Sequence, residues 1–248
     1  MGTKKTAGYR ISVDTGGTFT DVVVSDAAGN FAVGKSPTTY GRIFDGFSRA
    51  VSQASRALGV DLAAVMKDCE HVIYATTHAT NSVVMRSTAN TALVITAGFE
   101  DTLEYREGGR SDVFNNRLAY TPPFVPRSST YGIRERINAE GEVLTPLSWD
   151  ALERLAAAIA AGNHEAIAVS LIWSVANSKH ELEIGAFLRD AFPGIPISLS
   201  HEINPIIREY RRTSSAAINA ALSPAMASHF GDLADDLTAC GFTGDCLV

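Results

Sequence analysis

Apolar and polar residues alternate with a period near two at the start of the chain and near 3.6 soon afterwards. Ile11–Val13 and Val22–Val24 are short β-branched runs, the composition that favours strands. Phe31–Lys35 continues the pattern, so the opening segment predicts an antiparallel meander. From Arg42 to Leu58 the residues Ile43, Phe44, Phe47, Ala50, Val51, Ala54 and Leu58 recur at the spacing of an amphipathic helix. Val72–Ala75 and Leu93–Thr96 predict short buried strands, with a helix from about Thr80 to Arg86 between them. Gly98–Pro126 loses all periodicity and is rich in Gly, Arg, Asn, Asp and Pro, as a functional or a disordered loop would be. Arg134–Leu144 reads as a hairpin turning at Gly141, and Ser148–Ala161 as a helix capped by its serine. Ile167–Trp173 then predicts a strand, Ser178–Phe192 a helix and Ile195–Leu199 a strand. Pro205–Gly241 is Ala-rich and predicts a long helix broken near Pro224. Gly244–Val248 begins a further strand, and a chain that stops there reads as truncated.

Composition narrows the class. The 248 residues, 46% apolar and 19% charged, are ordinary for a globular protein and can fill one large domain or two small ones. A net charge of −6 argues against a nucleic-acid partner. The one basic cluster, Arg208, Arg211 and Arg212, is interrupted by Glu209 and reads as a salt-bridged helix face. Met1–Gly8 lacks the apolar core of a signal peptide, and no apolar run is long enough to span a membrane. Cys69, Cys240 and Cys246 are odd in number and have no ligand-like spacing, so reduced thiols and a cytoplasmic location are expected.

The chemistry concentrates between the first two strands, in Asp14-Thr-Gly-Gly-Thr-Phe-Thr-Asp21. Gly16 and Gly17 permit positive φ and close approach of a ligand to the main chain. Successive N–H groups and the hydroxyls of Thr15, Thr18 and Thr20 then make an anion cradle. Asp14, at the end of a buried strand, is placed to hold a hydrated Mg²⁺. Together these residues describe a site for nucleotide phosphates. A P-loop is excluded because no lysine lies in the loop, and a dinucleotide fingerprint because strand follows it. The plain alternative is a hairpin whose Asp and Thr satisfy turn backbone groups.

Other candidates carry two readings each. His78 is a substrate ligand or acid/base group, or else a helix-capping histidine, with the hydroxyls of Thr76, Thr77 and Thr80 beside it. Asn81 bonds substrate or has a local use in the first helical turn. Arg106 and Arg110 grip a carboxylate, bicarbonate or phosphate, or are solvated. His180-Glu181 and His201-Glu202 do not continue as H-E-x-x-H, which argues against zinc. His164 and His229 read as surface residues, Trp149 and Trp173 as core.

Several separated blocks add a resemblance. Asp14–Asp21 resembles the phosphate motif of the actin, Hsp70 and sugar-kinase superfamily. Its Phe-Thr-Asp continuation is similar to the hydantoinase A, 5-oxoprolinase and ketone carboxylase family. Lys35-Ser-Pro-Thr-Thr39, Ala75-Thr-Thr-His-Ala-Thr-Asn81, Thr96-Ala-Gly-Phe-Glu-Asp101 and Arg134-Glu-Arg136 resemble family blocks in the same order. So do Ser200-His-Glu-Ile203 and Arg208-Glu-Tyr-Arg-Arg-Thr-Ser214, followed by Asn219. The resemblance implies an RNase H-like, actin-like ATPase α/β layer with a mixed sheet, the antiparallel meander first and alternating β and α after it. It implies a phosphate-binding domain over residues 9–200 and the start of a second domain over 201–248. It implies ATP with Mg²⁺ or Mn²⁺, with Gly16, Gly17, Thr15, Thr18 and Thr20 on the phosphates. Asp14 would hold the metal through water, and Asp21 would brace the turn or join the metal shell. His78, Thr77 and Asn81 would face a small carbonyl substrate, either a ketone with bicarbonate or hydantoin or 5-oxoproline. The family's His-Gly-Thr-Thr stands here as Tyr74-Ala-Thr-Thr77, so no role for that histidine carries over. The block Glu104-Tyr-Arg-Glu-Gly-Gly-Arg110 differs from the hydrolases and favours a ketone carboxylase-like substrate. Only one Asp-Gly-Gly-type hairpin is present, so a second lobe or larger subunit is the expected partner. The competing functions are a kinase-like phosphotransferase of the same superfamily and a non-catalytic assembly or nucleotide-sensing module.

Overall fold

The computed structural model describes residues 8–39, 41–108, 112, 114, 115, 117 and 121–248. Arg110 lies outside the described residues. The first elements are β1 (Tyr9–Thr15), β2 (Phe19–Ser25), β3 (Phe31–Pro37), α1 (Ile43–Ala57), α2 (Leu62–Lys67), β4 (Cys69–Thr76) and α3 (His78–Val84). There follow β5 (Thr91–Thr96), α4 (Thr102–Tyr105), β6 (Thr130–Ile133), β7 (Arg136–Ile137), β8 (Val143–Thr145) and α5 (Trp149–Ala160). The last are β9 (Ala166–Ser170), α6 (Lys179–Ala191), β10 (Ile197–Leu199), α7 (Ser200–Ile203), α8 (Glu209–Ala239) and β11 (Asp245–Leu247). They fall into two compact units, one running up to Ser87 and including Met226–Val248, the other Thr88–Ala225.

In the first unit the period-two pattern does what it predicts. Ile11, Val13, Val22 and Val24 point to one face and are buried against Phe44, Phe47 and Val51 of α1. Ser12, Asp14 and Val23 point to the other face and are exposed. The sheet order is β11-β4-β1-β2-β3. The meander β1-β2-β3 is antiparallel, whereas β4 pairs parallel to β1 and β11 parallel to β4, which makes the sheet mixed. Gly34 lets β3 come close to α1: a Cβ there would stand 2.8 Å from the Ala50 carbonyl carbon and closer still to its oxygen.

The second unit has a parallel sheet in the order β10-β9-β5-β6. Every residue of β5 and β9 is buried, the continuous apolar pattern of strands covered on both faces. One face packs on Leu152, Leu155, Ile159, Ile184 and Leu188 of α5 and α6. The other packs on Leu103, Val125 and the alanines Ala216, Ala217 and Ala220 of α8. The hairpin β7-β8 turns through Gly141 at φ 82°, and Ser148 caps α5 by accepting from Ala151 N at 3.3 Å.

Four expectations are corrected. Helix α8 runs unbroken through Pro224. The lost main-chain bond is a local defect, and buried alanines including Ala220 and Ala221 hold the helix against the sheet unit before the proline. Trp149 is 64% exposed, its indole N–H donating to Glu153 at 2.8 Å, because it sits on the first turn of an amphipathic helix. His164 and His229 are buried rather than superficial, each bonded to a tyrosine hydroxyl. Arg212 is fully buried, and Arg211 pairs with Glu107, so the Arg208–Arg212 cluster is not one salt-bridged face.

Candidate functional site

The β1-β2 connection is a short loop closed by Gly16 N–H donating to Phe19 O at 3.0 Å. Neither Gly16 nor Gly17 is at positive φ, so neither makes an inverted turn. Thr38 braces the loop from outside: its N–H donates to Thr18 O at 2.9 Å and its hydroxyl to Gly16 O at 2.9 Å. Thr20 points into the core, is fully buried, and shares a 3.2 Å hydrogen bond with the Thr38 hydroxyl. As placed, Thr20 shapes the loop, while Thr18 stands on its exposed side. The Thr15 hydroxyl oxygen is buried and forms no hydrogen bond, although the Tyr74 hydroxyl lies near it.

Asp14 and Asp21 stand directly opposite one another on the exposed face of the β1-β2 pair. Like charges in that position repel. The next strand supplies one counter-charge: Lys35 is the register partner of Asp21 and donates to both its oxygens at 2.7 and 2.9 Å, with its ammonium 4.7 Å from the Phe19 ring centre. Asp14 therefore keeps an uncompensated carboxylate at the rim of the loop. Among the described residues no three His, Cys, Asp or Glu side chains form a metal-binding group. A cation held by Asp14 would thus keep most of its waters, which is how Mg²⁺ binds. The donor set fits a hydrated divalent ion.

The end of β4 reaches the same loop. Asp14 pairs with Ala75 and Thr15 with Thr76 in parallel register. Thr76 donates its hydroxyl to Thr15 O at 3.2 Å, and Thr77 N–H donates to the same oxygen at 3.2 Å. Thr76 also accepts from His78 N at 3.1 Å, which sets the first turn of α3. Asn81 donates its amide to Thr77 Oγ1 at 3.4 Å. The structure thus gathers Thr15–Thr18, Asp14, Thr77, His78 and Asn81 at one end of the sheet.

The His78 ring stacks on His229 with centroids 5.1 Å apart and planes within 9°. His229 Nε2 lies 3.0 Å from the Tyr74 hydroxyl, and its pKa is lowered by burial first and by neighbouring His78 second. The Tyr74 hydroxyl has its pKa raised, chiefly by burial. Sequence reasoning missed His229 and Thr38; only the threonine had a cue, in the Lys35–Thr39 block.

A meander leading into parallel strands, with an Asp-Gly-Gly hairpin at the strand ends, defines an α/β fold of the actin-like ATPase type. The family model described as hydantoinase/oxoprolinase N-terminal region matches residues 10–192, and the chain belongs to that family. It is 36% identical to the caprolactamase subunit alpha of Pseudomonas jessenii, over 88% of this chain and 32% of that one. It is 30% identical to the acetophenone carboxylase gamma subunit of Aromatoleum aromaticum, over 96% of this chain and 34% of that one. The crystal structure of the ATP-dependent caprolactamase from Pseudomonas jessenii superposes with a TM-score of 0.86 at 33% identity, covering 96% of this chain and 35% of that one. The chain spans about a third of the length of the curated relatives it matches. The family and fold read from the sequence blocks are borne out. Among the described residues no helix is long and apolar enough to cross a membrane, and the three cysteines are free.

Proposed function

We propose that the β1-β2 hairpin and the end of β4 form the phosphate-binding half of an ATP site, in an enzyme that activates a carbonyl compound by phosphorylating its oxygen. The observation that carries this reading is the Asp14–Asp21 pair, with one lysine for two carboxylates, beside the Gly16-Gly17 loop. A divalent cation accompanying phosphates restores the charge balance. Relatives named as an ATP-dependent caprolactamase and an acetophenone carboxylase support the reading.

ATP, when bound, supplies the phosphoryl group that makes an inert carbonyl oxygen reactive. Gly16 and Gly17 admit phosphate oxygens to the main chain, and Thr18 adds an exposed hydroxyl. Thr15, buried beside the Tyr74 hydroxyl, supports the loop from the core side and does not reach the phosphates. Asp14 holds Mg²⁺ or Mn²⁺ through water, and Asp21, tied to Lys35, sets the local field and braces the hairpin. Thr77, His78 and Asn81 face the carbonyl compound, where His78 moves a proton at the oxygen to be phosphorylated. The substrate is a ketone with bicarbonate or a cyclic amide such as hydantoin, 5-oxoproline or a lactam. The enzyme works in the cytoplasm, with a second lobe or a partner subunit completing the site.

Two measurements test this. The 248-residue chain should bind ATP only with Mg²⁺ or Mn²⁺ present. In the complete enzyme, ATP turnover should require a carbonyl compound. Turnover with ketone and bicarbonate together selects the carboxylase, and turnover with a cyclic amide the hydrolase. ATP turnover on a simple alcohol, or metal-independent binding, defeats the proposal.

A further inference from the structure

The second unit carries a cavity of about 650 Å³ that the phosphate hairpin does not explain. Gly98 and Phe99 line it just beyond the carboxyl end of β5, and Trp173 just beyond that of β9. These strands are parallel neighbours, and the chain leaves β5 towards β6 on one side and β9 towards β10 on the other. That is a topological switch point, where α/β sheets bind their ligands.

The wall is held in unusual backbone geometry. Four non-glycine residues among those described have positive φ, and two of them, Arg106 at 59° and Trp173 at 56°, line this cavity. Strain of this kind persists where surrounding structure enforces it, and it gathers at ligand sites. Around Trp173 the enforcement is a buried polar network. Leu171 N–H donates to Glu181 at 2.8 Å and Ile172 N–H to the Thr96 hydroxyl at 3.0 Å. Thr96 donates in turn to Glu135, which also accepts from His180 Nδ1 at 2.7 Å. Arg212 holds Leu171 O at 2.9 Å and the Ser200 hydroxyl at 3.1 Å. Ser200 lies 3.3 Å from the Ser174 hydroxyl on the far side of the tryptophan. So many buried ionisable groups around one turn serve its conformation.

The charges leave a deficit. Of the three carboxylates in the lining, Asp101 is paired with Arg127 and Glu107 with Arg211, arginines that do not line the cavity. Arg106 and Arg208 do line it and form no side-chain hydrogen bond or ion pair among the described residues; Glu209 is the remaining carboxylate, and Arg208 also helps to lower the pKa of Glu107, whose carboxylate Arg211 already holds. We infer that this cavity binds a small organic carboxylate, its carboxylate on Arg106 and Arg208 and its apolar ring or chain against Trp173. Guanidinium groups match carboxylates in geometry, and the indole face supplies the apolar half.

Trp149→Phe leaves Trp173 as the single tryptophan of the chain, read by excitation at the red edge where tyrosine does not absorb. Titration of that variant with benzoate should give a saturable change in emission whose midpoint rises with salt. Benzamide, which lacks the charge, and inorganic phosphate, which lacks the ring, should bind at least about tenfold more weakly. Arg106→Gln and Arg208→Gln should each weaken benzoate by about tenfold or more, with circular dichroism unchanged. Absence of saturation with benzoate overturns the inference, as does equal binding of benzamide or of phosphate. An unchanged midpoint in the Arg106→Gln variant overturns it too, whether or not Arg208→Gln folds.

Discussion

Asp14 is the residue on which the nucleotide reading turns, and its surroundings make the test clean. It is exposed, and its direct neighbour across the strand pair is Asp21, already engaged by Lys35. Asp14→Asn removes a like-charge repulsion and breaks no bond, so the folded chain should be unchanged or gain about 0.2–1 kcal/mol. The same substitution should abolish the Mg²⁺ dependence of ATP binding. Thermal melts with and without Mg²⁺·ATP read both effects, and a ligand-induced rise in Tm retained by the variant sinks the assignment. That Asp14, Gly16, Gly17 and Thr18 share one loop was legible because they are contiguous in sequence. The Tyr74–His229 bond was not, since its partners lie 155 positions apart and each alone looks ordinary. Thr20 shows the opposite failure: its residue type suited a phosphate, but strand parity turned it into the core.

At the scale of elements, the best-read segments are those whose hydrophobic period decides their facing. Helix α1 and the meander follow directly from alternation, and their contact rests on Gly34, whose meaning no periodicity reveals. Gly34→Ala should destabilise the protein by about 1–3 kcal/mol or more, because the new methyl meets the Ala50 main chain. Urea unfolding measures this, and a neutral substitution would show that α1 can move away. The element α6 carries a pH dependence. Burial opposes ionisation of Glu181, yet hydrogen bonds from His201, Ser200 and two main-chain N–H groups outweigh it and hold its carboxyl below the ordinary 4.5. The Glu181 bond raises His201 above its ordinary 6.5, against partial burial, with Glu202 adding to it. Glu181 therefore stabilises above its unfolded pKa, and that contribution fades as pH falls through its lowered folded value. His201 stabilises fully below its unfolded pKa, and that contribution fades as pH rises through its raised folded value. Both act together between about pH 4.5 and 6.5. The Tm gap between the parent and His201→Asn should be widest there and narrow towards alkaline pH. A gap constant from about pH 5 to 8 contradicts the assignment.

For the whole molecule, the alternation of helices and strands foretold an α/β class with a mixed sheet, but not how the chain is apportioned. Apportioning depends on which apolar faces meet, and the same valines suit either sheet. The chain passes between units at Ser87–Thr88 and again at Ala225–Met226, the second time inside α8. Its Pro224 suggested a break, because sequence reveals the missing N–H but not the burial of Ala216, Ala217, Ala220 and Ala221 that holds the turns before it. The cores are nonetheless distinct: Leu233 and Leu237 from the end of α8 belong to the cluster of Phe47, while Ala216 and Ala220 belong to that of Leu93. Phe47 is fully buried, so Phe47→Ala should lose about 3–5 kcal/mol in its own core. Hydrogen exchange should then show weakened protection in β1–β4, α1 and residues 226–239, with β5 and β9 retaining theirs. A uniform loss of protection across both units would mean that α8 transmits the damage and the chain unfolds as one cooperative body.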